Sequence, residues 1–124
     1  MNMAQGAGHD FTVGFLSDEA GNDKYDAPNL SLGGGNDNGI GLFWDKTGND
    51  EYRGTAATTL GRANLTTRGT LRDSILTLGV FLDTGGEDTY PKDKPFAKND
   101  TTWVQRGLNT TVPLGTEKGC GGDW

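Results

Sequence analysis

The chain has one cysteine, Cys120, and one histidine, His9. The first excludes an internal disulfide and a cysteine-built zinc site; the second excludes metal motifs that need paired histidines. Glutamate is scarce as well. Of the 17 acidic residues, 13 are Asp and four are Glu, which argues against long solvated helices because Glu is the better helix former. Bulky apolar residues are few, the hydrophobic share being 32%, and no run is apolar and long enough for a membrane-spanning helix. A net charge of −6 leaves no basic footprint for nucleic acid. No Gly-x-Ser-x-Gly elbow and no phosphate loop occur. The opening residues Met1 to Gly6 lack the charged-then-apolar pattern of a secretion signal. The repeat described next begins almost at once, so the chain reads as part of a longer protein whose upstream portion carries any such signal.

What the chain has instead is 21 glycines and an internal repeat. Gly41-Leu42-Phe43-Trp44-Asp45-Lys46-Thr47-Gly48-Asn49-Asp50-Glu51-Tyr52 is preceded by Gly14-Phe15-Leu16-Ser17-Asp18-Glu19-Ala20-Gly21-Asn22-Asp23-Lys24-Tyr25. It is followed by Gly79-Val80-Phe81-Leu82-Asp83-Thr84-Gly85-Gly86-Glu87-Asp88-Thr89-Tyr90. Upstream of the core, residues 4–10 align with residues 31–37 at the same offset, and a half-repeat of Gly, a polar residue and Asp recurs at Asp10, Asp23, Asp37 and Asp50. Such self-similarity decides architecture before any local propensity does.

Val13, Ile40 and Leu78 align two positions before Phe15, Leu42 and Val80, which is strand periodicity. The intervening Leu16, Phe43 and Phe81 are apolar too, so both faces of this strand are expected to be covered. Glycine turns and a further extended segment at each Tyr complete the unit. The fold expected is all-β: a short parallel β-solenoid or β-roll of about three coils with a 27-residue repeat. Residues 1–90 hold the repeats, with an insertion at about 53–70 carrying Arg53, Arg62 and Arg68 and Arg72 just beyond; 91–124 form a C-terminal cap or extension. The only helix candidate lies near Ala56–Asn64. Pro91, Pro95 and Pro113 interrupt regular ladders, and Trp103 and Val104 are placed to cap the last coil.

Stacking units at the strand spacing of about 4.8 Å piles equivalent residues into columns. Asp18, Asp45 and Asp83 form one column, Asp23, Asp50 and Asp88 another, and Asp10 and Asp37 a third. Like charges so spaced repel by about 1 kcal/mol per pair in bulk water and more when partly buried. Basic residues do not recur at matching positions, so a bound cation is the simplest counter-charge. Carboxylates and turn carbonyls are hard oxygen ligands suited to calcium. Asp18 with Asp23, Asp45 with Asp50, and Asp83 with Asp88 are the candidate ligand pairs, with Asp10 and Asp37 in addition. The same aspartates also make sense as turn formers that cap backbone N–H groups, and both readings share the architecture.

Gly21-Asn22-Asp23, Gly33-Gly34-Gly35-Asn36-Asp37 and Gly48-Asn49-Asp50 resemble the Gly-Gly-x-Gly-x-Asp nonapeptides of the calcium-binding repeats-in-toxin family. The resemblance implies that Asp23, Asp37, Asp50 and Asp88 are motif aspartates of calcium-binding turns. It also implies that Tyr25, Tyr52 and Tyr90 point into a parallel β-roll. The unit here departs from two nonapeptides in length, has Asp for the first Gly, and has Tyr where that family has an aliphatic residue. The chain also resembles bacterial repeat proteins built on Asp-x-Gly-Gly-Asn-Asp-x-Tyr, across roughly residues 4–90.

The functional expectation is a calcium-binding structural module of a bacterial secreted or cell-surface protein, in scaffolding or adhesion. The alternative is a metal-free assembly subunit whose open edges stack on partner chains or on itself. A third option is a β-helix enzyme acting on acidic polysaccharide with Arg53 or Arg72 as base. His9 aligns with Asn22, Asn36 and Asn49 and takes a turn position.

Overall fold

In the computed structural model residues 4–27, 29–54, 60–64 and 69–91 are described in full, and residues 102–108 and 113–114 by their backbone. The strands are β1 (Gly8–His9), β2 (Val13–Asp18), β3 (Lys24–Ala27), β4 (Gly35–Asn36), β5 (Ile40–Asp45), β6 (Glu51–Gly54), β7 (Ala63–Asn64), β8 (Leu76–Asp83), β9 (Thr102–Leu108) and β10 (Pro113–Leu114). Among the described residues there is no α-helix, only a 3-10 turn over Leu71–Ser74. None offers a helix long and apolar enough to cross a membrane. The fold is all-β, as expected. The helix candidate is corrected where it can be seen: Ala63 and Asn64 are strand, and residues 56–59 lie outside the described set.

The chain visits three sheets in rotation. β1, β4 and β7 form the first, β2, β5 and β8 the core of the second, and β3 and β6 the third, which Thr89 extends by a parallel bridge to Glu51. All pairings within these sets are parallel. The register is that of the sequence repeat, with Val13 on Ile40 on Leu78 and Asp18 on Asp45 on Asp83. Gly35 pairs with Ala63, one residue beyond the repeat step, so nearly all of the insertion falls between β7 and β8, where the 3-10 turn lies. β9 runs antiparallel along β8, with Trp103 opposite Phe81, and β10 runs antiparallel to β9. Pro113 therefore opens an edge strand, where its missing N–H disturbs no ladder.

Alternation decides which side chains are inside. In β5, Gly41, Phe43 and Asp45 are buried while Ile40, Leu42 and Trp44 face outward. The interior columns are thus Gly14, Gly41 and Gly79; Leu16, Phe43 and Phe81; and the three aspartates. The expectation that both faces of the strand are covered fails at the first repeat: Val13 and Phe15 stand 66% and 62% exposed. Parallel, in-register strands force like rings to stack. Tyr25 and Tyr52 lie 5.2 Å apart at 10°, Tyr52 and Tyr90 5.1 Å at 13°, and Phe43 and Phe81 5.2 Å at 5°. The two columns meet edge to face, as between Tyr25 and Phe43 at 5.1 Å. Each such pair contributes about 0.5–1.5 kcal/mol beyond burial, which compensates a core short of aliphatic side chains. The turns repeat their geometry too. Asp10 and Asp37 adopt left-handed φ of 53° and 51°, a conformation that Asp tolerates.

Candidate functional site

The turn between the second and third sheets cannot pair backbone to backbone at every residue, and side chains complete the ladder. Asp23 N donates to Asp50 Oδ1 at 2.7 Å, and Asp50 N to Asp88 Oδ1 at 2.8 Å. Running the other way, Asn49 N donates to Asn22 Oδ1 at 2.8 Å and Glu87 N to Asn49 Oδ1 at 2.9 Å. One oxygen of Asp50 and one of Asp88 are thus committed to holding successive repeats together, the turn-forming role allowed by the sequence.

The inner aspartates meet the tyrosine stack. Tyr25 Oη donates within 2.7 Å of Asp45 Oδ2 and 2.9 Å of Asp18 Oδ2, and Tyr90 Oη donates to Asp83 Oδ2. Tyr52 Oη, between them, is buried and makes no hydrogen bond of good geometry, though it lies near enough to Asp83 to favour that carboxylate's charged form. Asp45 Oδ1, Asp50 Oδ2 and Asp83 Oδ1 are likewise buried without such a bond, on residues only 1%, 3% and 0% exposed. No Lys or Arg among the described residues pairs with these three carboxylates. A buried carboxylate oxygen with neither donor nor counter-charge is costly.

That cost shows in their acidities. Burial, and then the charges of Asp50, Asp83 and Asp18, push Asp45 up to about 6, against the opposing hydrogen bond from Tyr25. Burial also pushes Asp83 up to about 6, opposed by the Tyr90 hydroxyl and reinforced by the adjacent Asp88. Asp50 and Asp88 are raised by burial as well. Burial and the surrounding carboxylates hold Tyr25 and Tyr52 as neutral phenols well above the usual tyrosine range.

The third column has a different neighbour. Arg72, in the 3-10 turn of the insertion, donates to Asp10 Oδ1 and, at 3.1 Å, to the Asp37 carbonyl. Its Nε donates to Asn38 Oδ1 at 2.9 Å, and its guanidinium lies 4.6 Å from the Phe11 ring centroid. Asn38 Nδ2 in turn donates to the Arg72 and Ile75 carbonyls. The insertion is thereby clamped to the turn column by a protein cation. Arg72→Ala is expected to cost about 1–3 kcal/mol in denaturant unfolding. Arg53→Ala, in an exposed pair with Glu51, should leave the unfolding midpoint close to that of wild type, because water screens the pair.

The eight candidate aspartates therefore fall into two groups. Asp45, Asp50, Asp83 and Asp88 lie close enough to shift one another, with Asp18 and Asp23 at the outer end of the same two columns; Asp10 and Asp37 lie apart, beside Arg72. Among the described residues no three His, Cys, Asp or Glu side chains converge as ligands around one point. His9 Nδ1 lies 3.0 Å from Asn36 Nδ2, in keeping with a turn role. The tyrosine hydroxyls were the missed members of the site. Their signal is the constant seven-residue interval from Asp18 to Tyr25 and from Asp83 to Tyr90. Comparison with protein-family models, with characterised proteins and with solved structures finds no match.

Proposed function

We propose that this chain is a short parallel β-solenoid of three stacked coils, acting as a calcium-stabilised structural module of a secreted or cell-surface protein, in scaffolding or adhesion. One observation carries the reading: Asp45, Asp50 and Asp83 are buried, mutually repelling, and each keeps an oxygen that receives no hydrogen bond. Hard oxygens with uncompensated negative charge fit calcium. As no three of these side chains converge on one point, the residues that would hold it act in pairs, Asp45 with Asp50 and Asp83 with Asp88, with Tyr52 Oη as a neutral donor beside them. The bound ion would supply charge neutralisation between coils, not catalysis. Arg53 and Arg72, the bases of an enzymatic reading, are both engaged in ion pairs with Glu51 and Asp10.

A metal-free module is the second reading. It is favoured by the carboxylate oxygens already used by Tyr25, Tyr90 and the turn N–H groups, and by the ease with which protons would neutralise the remainder. Thermal melting with calcium and with excess chelator separates the two, alongside metal analysis of the purified protein. Saturation at a hundredfold excess over Kd stabilises by about 2.7 kcal/mol, which raises Tm on the order of 10 °C. Superimposable melts and no retained metal would discard calcium and leave the metal-free module.

A further inference from the structure

We propose that Arg72 is a tethered counter-ion: its guanidinium takes the place of a metal ion in the third aspartate column, and without it the same oxygens bind one divalent cation. The ground for this is what converges on a single atom. Arg72 Nη2 donates to Asp10 Oδ1 and, at 3.1 Å, to the Asp37 carbonyl, and Asp37 Oδ1 lies 3.9 Å from the same nitrogen. Asn38 Oδ1 accepts from the neighbouring Nε at 2.9 Å. Two carboxylates, a turn carbonyl and an amide oxygen, drawn from two successive repeats, therefore surround one positive group. This donor set is hard and made wholly of oxygen, the kind that Ca²⁺ takes with water in its remaining positions.

The cradle is built by groups that do not depend on the Arg72 side chain. Asp10 N donates to the Asn36 carbonyl at 3.2 Å and Asp37 N to the Asn64 carbonyl at 3.3 Å, which fixes both turns in the parallel ladder. Asn38 N donates to Thr77 Oγ1 at 3.0 Å. Its Nδ2 donates to two main-chain carbonyls, those of Arg72 and Ile75, each at 2.9 Å. The insertion turn likewise closes on itself: Gly69 N donates to Asp73 Oδ2 at 2.8 Å and Arg72 N to Thr70 Oγ1 at 3.3 Å. Truncating Arg72 removes the cation and leaves the oxygens where they are.

Charge then decides what the vacated cradle does. Asp37 is buried, and a buried carboxylate stripped of its counter-charge is strongly unfavourable. Asp10 is the more exposed partner, which gives an ion a way in and keeps the site weak, with a Kd of about 10⁻⁴–10⁻³ M as in extracellular calcium modules. In the wild type an ion of that affinity must compete with a guanidinium on a short tether, whose effective concentration is itself on the order of millimolar. Arg72 thus sets which columns take metal. The third column carries its cation within the chain, whereas the inner aspartates have no Lys or Arg partner among the described residues.

Calorimetric titration of the full chain with calcium tests this on wild type, Arg72→Ala, Arg72→Met and Arg72→Lys. Met keeps an aliphatic stem beside Phe11, and Lys keeps a charge. The Ala and Met variants should each bind one calcium per chain more than wild type, whereas Arg72→Lys should gain none. Adding Asp10→Asn, which Asn tolerates in a left-handed turn, should weaken the extra site at least tenfold and leave any other binding as it was. If Arg72→Ala is unfolded in chelator, calcium should restore the wild-type circular dichroism spectrum, and should fail to do so once Asp10→Asn is added. The count is a difference from wild type, so it does not rest on calcium at the inner aspartates: a wild type that binds none discards the calcium-stabilised module and leaves this proposal to the variants. Ala and Met variants with the wild-type count overturn it. So does an extra ion that Asp10→Asn leaves untouched or that Arg72→Lys also gains, or an unfolded Arg72→Ala chain that calcium does not restore.

Discussion

Gly41→Ala leaves the chain without a cooperative unfolding transition at room temperature, read by circular dichroism and thermal melting. Gly41 is the interior residue of β5 at which the second sheet lies against the backbone entering β4. A Cβ there would sit 2.5 Å from the Gly34 carbonyl carbon and 2.7 Å from that of Gly33. The obstacle is main chain, held by the same ladders that hold β5, so neither side can rotate away as a side chain would. Overpacking against side chains costs about 1–3 kcal/mol. Separation of two sheets across a stacked column costs more, out of a total stability of about 5–15 kcal/mol. Gly69→Ala is the control. Its φ of +69° is left-handed, but nothing lies within 4 Å of the added carbon, so only about 1–2 kcal/mol of backbone strain is expected. A Gly41→Ala protein melting within a few degrees of wild type would mean that the close approach of the two sheets is not what sets their spacing.

The same glycine shows how far the sequence could be read. Gly14, Gly41 and Gly79 recur visibly, and recurrence was enough to place Asp18, Asp45 and Asp83 in one column, as found. What the glycines face was not legible, because the opposing strands β1, β4 and β7 are two residues long and carry no hydrophobic pattern of their own. Orientation was harder than register. Val13-Gly14-Phe15-Leu16 offers apolar residues on both faces, and only the stacking of Phe43 on Phe81 against the tyrosines settles which face is interior. The counter-charge was half legible. No basic residue recurs with the aspartates, yet Arg72 reaches Asp10 and Asp37 from outside the repeat, a contact made by the insertion that periodicity does not reach. At the inner aspartates no such residue arrives among the described ones, and there the repeat alone defines the electrostatics.

Those inner aspartates make a chelator-treated protein more stable at about pH 5 than at about pH 7.5, the reverse of ordinary acid denaturation. Asp45 and Asp83 rise from 3.8 to about 6 on folding, so the folded state holds protons that the unfolded chain has shed. Stability from this source is complete below about pH 4 and is lost as pH climbs through about 6. Asp50 and Asp88 move in the same direction. Glu51, held low by Arg53, opposes them weakly from an exposed position. At about 1.4 kcal/mol per unit, the two buried groups together withdraw roughly 6 kcal/mol between about pH 4 and neutral pH. Asp83→Asn removes one of the charges. Its amide oxygen can still accept from Tyr90, and its amide nitrogen faces Asp88. In chelator at about pH 7.5 this variant should be more stable than wild type by up to roughly 3 kcal/mol, with a shallower pH profile, an unusual sign for a change at a buried polar residue. Calcium should reverse the wild-type profile, because the ion binds only after the protons leave, and Asp83→Asn should lose most of that gain. An Asp83→Asn protein that is less stable than wild type at every pH would show that the carboxylate is satisfied as it stands, with no charge in the interior left for either a proton or an ion to neutralise.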